Sequence, residues 1–250
     1  MTEDSRPGPA VIVMARAPRP GEGLRPEASS RGSARGAQPE GKTRLRDVLS
    51  DEERLRLQEA FLRDAVAVAR EASVGPVYVA YTSAGAAPWA KDEFEAGVVA
   101  FPQQGDDLGA RMLSALRHVA QRGFGPLVMI GTDAPLLQPS HIEAAVRELE
   151  QADLCLGPSA DGGYYLIACC DVEPKLFTGP PWGTNRVLDS TLRIAAQHGL
   201  RCRQIDTLYD VDTPDDLARL REDLARLANE PGFHMPEHTA KALGGLGSLV

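Results

Sequence analysis

Short apolar runs separated by amphipathic stretches set the rhythm of the chain. AVIVMA (10–15), PVYVAYT (76–82), GVVAF (97–101), PLVMIGT (126–132), DLCLGP (153–158), YYLIACC (164–170) and LRCRQID (200–206) read as strands. Most are continuously apolar rather than alternating, the pattern of strands buried on both faces. Residues 51–72 place Leu55, Phe61, Leu62, Ala65, Val66 and Ala69 along one helical face, with Ser50 positioned as N-cap and acids crowding the first turn. Residues 107–122, 139–151, 184–198 and 213–229 carry similar helical spacing. Strands alternating with helices predict an α/β fold, a mostly parallel sheet with helices on both faces. Such sheets bind ligands at the carboxyl ends of their strands, so the residues just after each strand become the candidates for chemistry.

Two stretches depart from this rhythm. Residues 231–250 (PGFHMPEHTAKALGGLGSLV) hold many breakers and weak periodicity, which predicts a loose C-terminal tail after a single unit over 1–230. Residues 24–41 (LRPEASSRGSARGAQPEG) are rich in Arg, Ser, Gly, Ala and Pro, with Leu24 as the single large aliphatic, and read as a flexible insertion. The end of that segment, Gly36 to Thr43, fits the G-x-x-x-x-G-K-[ST] pattern of phosphate-binding P-loops. A P-loop sits between a buried strand and a helix, and SSRGSAR before Gly36 cannot form such a strand. Removing Leu24 through Gly41 leaves VIVMARAPRPGEGKTRL, because Glu-Gly stands at both 22–23 and 40–41. The match is therefore read as the scar of an insertion into a short Gly-rich loop after the first strand. In that loop Gly21 lets the backbone approach a phosphate, and Lys42 and Arg44, with Arg16, neutralise it.

The 250 residues are 43% hydrophobic and 25% charged, with a net charge of −8. An acidic balance argues against nucleic acid as a partner. No run of about 18 apolar residues points to a membrane span, and the polar N-terminus MTEDSRPGPA lacks a signal-peptide core. Cys155, Cys169, Cys170 and Cys202 form no C-x-x-C pair and read as buried reduced thiols, which suits a cytoplasmic protein. His118, His198, His234 and His238 read as surface residues, and His141 carries no assigned role.

Four segments in order, ARAPRPG…GKTRL (15–45), QQGDDLGARM (103–112), IGTDAPLL (130–137) with GPSADGGYYL (157–166), and WGTNRVL (182–188) followed by DVDTPDDL (210–217), resemble the rSAM/selenodomain-associated transferases. That family is GT-A-like and related to 2-phospho-lactate guanylyltransferase and to the nucleotide-diphospho-sugar transferases. The resemblance covers about residues 10–222 and implies a three-layer GT-A-like fold. This chain departs from the pattern at the 24–41 insertion, which lies in the nucleotide loop.

The residues themselves leave two readings open at most of these positions. Asp133 follows the strand PLVMI and is either a turn aspartate or a ligand for Mg²⁺ or Mn²⁺. Asp212 lies before Thr213-Pro214, a good helix start, and the resemblance gives it the second metal-ligand role, with Asp210 as the fallback. Gln103 can read a base edge through its amide. Asp107 can meet a ribose hydroxyl, start a helix or pair with Arg111. Thr132 joins the nucleotide-binding set beside Asp133. Asp161, Gly162 and Gly163 form a normal hairpin turn, and the resemblance turns them toward an acceptor pocket where Asp161 would position or deprotonate an acceptor hydroxyl. Trp182 reads either as a floor for that pocket or as core.

The expected activity is metal-dependent transfer from a nucleotide or nucleotide-sugar donor to a small-molecule acceptor, with Asp133, Asp161 and Lys42 catalytic. Glycosyl transfer from an NDP-sugar is favoured. Nucleotidyl transfer from an NTP with release of pyrophosphate is the alternative, and a P-loop NTPase or a catalytically silent nucleotide-binding protein is the further one.

Overall fold

A computed structural model describes residues 7–16, 43–82 and 97–246. The described strands are β1 (Ala10–Ala15), β2 (Val77–Tyr81), β3 (Val98–Pro102), β4 (Leu127–Ile130), β5 (Leu154–Pro158), β6 (Tyr164–Cys169) and β7 (Cys202–Gln204). They form one sheet in the order β3-β2-β1-β4-β6-β5-β7. The pairs β1–β2, β2–β3, β1–β4 and β5–β7 are parallel, and β6 runs antiparallel to both β4 and β5. The chain thus adopts the expected α/β fold, and the jump from β1 over to β4 opens a crevice at the strand ends between them.

The helices are α1 (Asp51–Glu71), α2 (Leu108–Ala120), α3 (Pro139–Glu148), α4 (Lys175–Thr178), α5 (Val187–Gln197), α6 (Pro214–Leu227) and α7 (Glu237–Gly245). Strand alternation divides the apolar residues into two cores. Val11, Val13 and Val79 pack with Leu62, Val66 and Ile142 of α1 and α3 on one face. Ile12, Met129 and Ile167 pack with Leu116, Phe177 and Ala195 of α2, α4 and α5 on the other. These are the three layers. Local signals fix the helix starts. Ser50 and Glu53 form a reciprocal capping box on α1, and Thr213 and Asp216 do the same on α6 with Pro214 in its first turn.

One expectation holds and three change. Thr43–Asp47 is a 3-10 turn anchored by fully buried Leu45, and α1 begins only at Asp51. A P-loop lysine and threonine open the α-helix itself, so the described side of the motif lacks the P-loop context. The helix expected from 184 starts at Val187, and 182–186 is loop. His118, expected at the surface, is half-buried and stacks on Phe101 with ring centroids 4.0 Å apart.

The third change is the C-terminal segment, read as loose. Residues 237–245 form α7, with Leu243 buried beside Leu45, Leu57, Phe61 and Leu220 in a third cluster outside α1. Its start is held from outside. Buried Asp64, in the middle of α1, accepts hydrogen bonds from His238 N (3.0 Å) and Thr239 N (2.7 Å), supplying the cap that Pro236 cannot. Upstream, the Gln138 side chain exchanges two bonds with the His234 backbone, 2.7 Å and 3.1 Å. Among the described residues no helix is long and apolar enough to cross a membrane, and all four cysteines are free thiols.

Candidate active site

Three turns at the carboxyl edge of the sheet bring four aspartates together. The first follows β4. Gly131 N–H bonds to the Tyr165 carbonyl on β6 (2.9 Å), while Ala134 and Leu137 are buried and Leu137 N–H closes on the Ala134 carbonyl (3.0 Å). The apolar anchors on either side leave Asp133 exposed at the crevice and Thr132 half-buried beside it.

The second turn lies between β7 and α6. Extended backbone alternates its side chains, so fully buried Val211 puts Asp210 and Asp212 together on the opposite side. Val211 N–H donates to the Asp133 carbonyl at 2.8 Å, clasping the two acidic turns. Asp212 lies outside the α6 cap, as the two compatible roles require, and its N–H donates to Asp216 Oδ2.

The third turn is the β5–β6 hairpin. Ala160 N–H bonds to Leu208 O (2.9 Å) and Leu208 N–H to Pro158 O (3.1 Å), so the hairpin is stitched to the segment just ahead of Asp210. Asp161 is exposed and its Oδ1 accepts from Gly163 N–H at 2.9 Å. Gly162 adopts a φ of +89°, and a Cβ there would stand 2.2 Å from the Asn185 carbonyl oxygen. Its own carbonyl accepts from Leu188 N–H (2.9 Å). The Thr184-Asn185-Arg186 loop therefore rests directly on this turn, and only glycine permits that approach.

The electrostatics report the convergence. Burial pushes the Asp210 carboxyl up to about 7, and the neighbouring charges of Asp133, Asp161 and Asp212 push in the same direction. The buried Ser159 hydroxyl lies beside Asp210 and draws it down a little, without reaching ordinary hydrogen-bond geometry. Asp210, the fallback ligand, is thus the hub of the cluster. The D-x-D spacing carried that signal, but choosing between its two acids required knowing that Val211 is core.

Among the described residues, no three His, Cys, Asp or Glu side chains converge closely enough to hold an ion alone. Mg²⁺ does not ask for that, since it commonly takes one or two carboxylates and completes its shell with water and substrate phosphates. Four mutually repelling carboxylates suit an ion that arrives with a polyphosphate.

The nucleotide-side candidates divide. Gln103 follows β3, its N–H on Tyr81 O and its side-chain Nε2 on Ala15 O (3.0 Å) and Ala80 O (2.8 Å). Asp107 is the N-cap of α2, with Oδ1 on Ala110 N–H (2.7 Å). Arg111 does not pair with it; Arg111 Nε donates to Gly105 O. Arg16 and Arg44 are exposed at the strand-end side of β1 and in the 3-10 turn. Lys42 and Gly21 lie outside the described residues. Trp182 is half-buried, with its indole N–H on Phe177 O (2.9 Å) and its ring edge-on to Tyr164 at 6.1 Å. Its polar edge is spent on the fold, so it acts as a wall behind the hairpin and has no hydrogen bond left to offer an acceptor.

Comparison with known proteins bears on this geometry. Residues 65–184 match the DUF2064 family, described as uncharacterised proteins conserved in bacteria. The 2-phospho-L-lactate guanylyltransferase of Methanoregula boonei is 30% identical over 182 residues, covering 72% of this chain and 76% of that one. The phosphoenolpyruvate guanylyltransferase of Chloroflexus aggregans is 28% identical over 185 residues, covering 72% of this chain and 89% of its own. Among solved structures, a candidate nucleotide-diphospho-sugar transferase from Desulfovibrio desulfuricans G20 superposes with a TM-score of 0.73 at 24% identity, over 94% of this chain and 96% of that one. That likeness establishes the GT-A-like fold. The curated relatives are nucleotidyltransferases by name, which favours the alternative over the glycosyl transfer expected from sequence. The chain is an enzyme of the transferase class, and it belongs to the DUF2064 family as a homologue of the 2-phospho-L-lactate guanylyltransferases.

Proposed function

We propose that this protein transfers a nucleotidyl group, guanylyl by kinship, from a nucleoside triphosphate to a small phosphorylated carboxylic acid. The observation that carries the reading is the convergence of Asp133, Asp161, Asp210 and Asp212 at the strand ends. Four carboxylates gathered together repel both a triphosphate and a phosphorylated acceptor, which supports a divalent cation between them.

In the proposed reaction an oxygen of the acceptor's phosphate attacks the α-phosphorus of the triphosphate. The bond from that phosphorus to the bridging oxygen of the β-phosphate breaks, and pyrophosphate leaves. The attacking phosphate is already anionic near neutral pH, so no general base is needed to create the nucleophile. Asp161 therefore serves to position the acceptor rather than to deprotonate it. Asp133 and Asp212, with Asp210 between them in the cluster, would hold Mg²⁺ or Mn²⁺, which when bound supplies charge neutralisation on the phosphates. Arg16, Arg44 and Lys42 supply the remaining positive charge, and the Asn185 loop over Gly162 borders the acceptor end. Catalysis is mostly positioning and electrostatic stabilisation.

The test measures pyrophosphate from GTP and Mg²⁺ with phosphoenolpyruvate or 2-phospholactate, in parallel with GDP release from GDP-sugars. The proposal expects acceptor-dependent pyrophosphate that Asp133→Asn abolishes. Nucleoside diphosphate released from a sugar donor, with no pyrophosphate from any triphosphate, would return the assignment to glycosyl transfer.

A further inference from the structure

The Gln103 side chain is more constrained than a surface glutamine after a strand needs to be. Its backbone N–H bonds to Tyr81 O at 2.7 Å, and both hydrogens of its amide are directed at backbone carbonyls, Ala15 at the end of β1 and Ala80 in β2. The reverse orientation would set Oε1 against two carbonyl oxygens, so the chemistry fixes which way the amide faces. The turn behind it is equally fixed. Gly105 adopts a φ of +135°, where a Cβ would meet Ala110 at 2.7 Å, and Arg111 Nε holds the Gly105 carbonyl. Gln103 thus spends its donors on the strand ends and keeps Oε1, an acceptor with no protein partner among the described residues and not sealed from solvent. Its amide bridges β1 and β2, whereas Asp133 follows β4, on the other side of β1. Neighbouring strands are roughly 4.8 Å apart, so an amide lying between β1 and β2 is offset across the sheet from β4 by about one and a half spacings, roughly 7 Å, which lets a nucleotide lie across the strand ends with its base at one side and its phosphates at the other.

We propose that Gln103 Oε1 is the base-reading atom of the donor site, a pre-oriented acceptor that selects bases carrying a proton on the ring nitrogen of the Watson–Crick edge. Guanine and hypoxanthine present N1–H there, and uracil N3–H. Adenine and cytosine present a bare acceptor nitrogen, which faces Oε1 lone pair to lone pair. Guanine adds its 2-amino group as a second donor on the same edge. The inference rests on the nucleotidyl-transfer reading and assigns to one atom the choice of base.

The test is calorimetric titration of the full chain with GTP, ITP, ATP and N1-methyl-GTP in Mg²⁺. Wild type is expected to bind GTP and ITP and to bind ATP and N1-methyl-GTP about ten-fold more weakly, the scale of one hydrogen bond gained or left unmade. Gln103→Met, of similar length but without the acceptor, is expected to bring GTP and N1-methyl-GTP to near-equal affinity. Equal binding of GTP and N1-methyl-GTP by wild type would overturn the inference while leaving nucleotidyl transfer standing. Discrimination retained in Gln103→Met would overturn Gln103 as the reader and point to simple exclusion of the methyl group. Wild type that binds no triphosphate would overturn the functional reading and the inference together. If Gln103→Met does not fold, wild type titrated with ITP and ATP, which differ on that edge without added bulk, keeps the inference falsifiable, and equal binding of the two overturns it.

Discussion

Asp64 and Asp210 both have carboxyls pushed up by burial, and they have opposite surroundings. Asp64, inside α1, has its carboxyl pushed up by burial and drawn back by the N–H groups of Thr239 and His238. Asp210, at the crevice, is also pushed up by burial, but three more carboxylates crowd it. A buried carboxyl given backbone donors is structural, because its oxygens complete the start of α7. A buried carboxyl given only like charge and a poorly placed hydroxyl costs stability in the free protein, and such costs are concentrated at functional sites. The comparison separates the part of the molecule that stabilises the fold from the part to which the proposed function assigns a cation and a substrate.

The largest effect expected from breaking this contrast is catalytic. Asp133→Asn should lower turnover by about 10² to 10³-fold, the scale of a lost charge-stabilising group, while leaving the melting temperature unchanged or slightly raised, as calorimetry beside a pyrophosphate assay would show. Asp64→Ala should do the reverse. It strands the buried Thr239 N–H and the His238 N–H and empties the cap of α7, costing about 2–4 kcal/mol. Denaturant titration measures that loss, and hydrogen exchange should rise over residues 237–245 while activity per folded molecule persists. Gly162→Ala falls between the two regions. A φ of +89° and a carbonyl 2.2 Å from the new Cβ predict a loss of about 1–3 kcal/mol, together with a raised KM for the acceptor and a smaller change in that for the triphosphate.

The smallest effect is the pH dependence of the metal-free protein. Both carboxyls are raised above their ordinary values, Asp210 to about 7. A raised carboxyl binds its proton more tightly folded than unfolded. Its contribution is therefore complete below the ordinary aspartate pKa and is lost as pH rises through the folded value. In chelator, stability should fall from about pH 4 to pH 7 on account of Asp210. Asp210→Asn should remove that part of the slope and be more stable than wild type near pH 8. Chemical denaturation at several pH values checks it, and a wild-type profile that matches Asp210→Asn would show that Asp210 is not crowded.

The sheet was readable because its strands are written as unbroken apolar runs such as AVIVMA and PLVMIGT, and the α1 and α6 starts because Ser50 and Thr213 carry their own caps. The α7 helix was not. Its segment is broken by Pro231, Gly232 and Pro236, and its cap is Asp64, far away in sequence, where an acid in a helix reads as solvated. Asp133 and Asp161 were legible from the strands and turn that place them. Asp210 ranked behind Asp212 because the resemblance gives the ligand role to the aspartate directly before Thr-Pro, whereas burial of Val211 between them depends on tertiary packing. Gln103 reads from the sequence as a candidate base contact, but its polarity does not, since only the Ala15 and Ala80 carbonyls show which half of the amide is spent.

The central claim is that the α-phosphorus of a nucleoside triphosphate is what moves. The most direct measurement supplies GTP labelled at the α-phosphate, with Mg²⁺ and a phosphorylated three-carbon acid, and follows the label. The account predicts that the label passes into an acceptor conjugate in step with unlabelled pyrophosphate, and that Asp133→Asn stops both. Label that stays in GTP while a GDP-sugar in the same tube is consumed would contradict it.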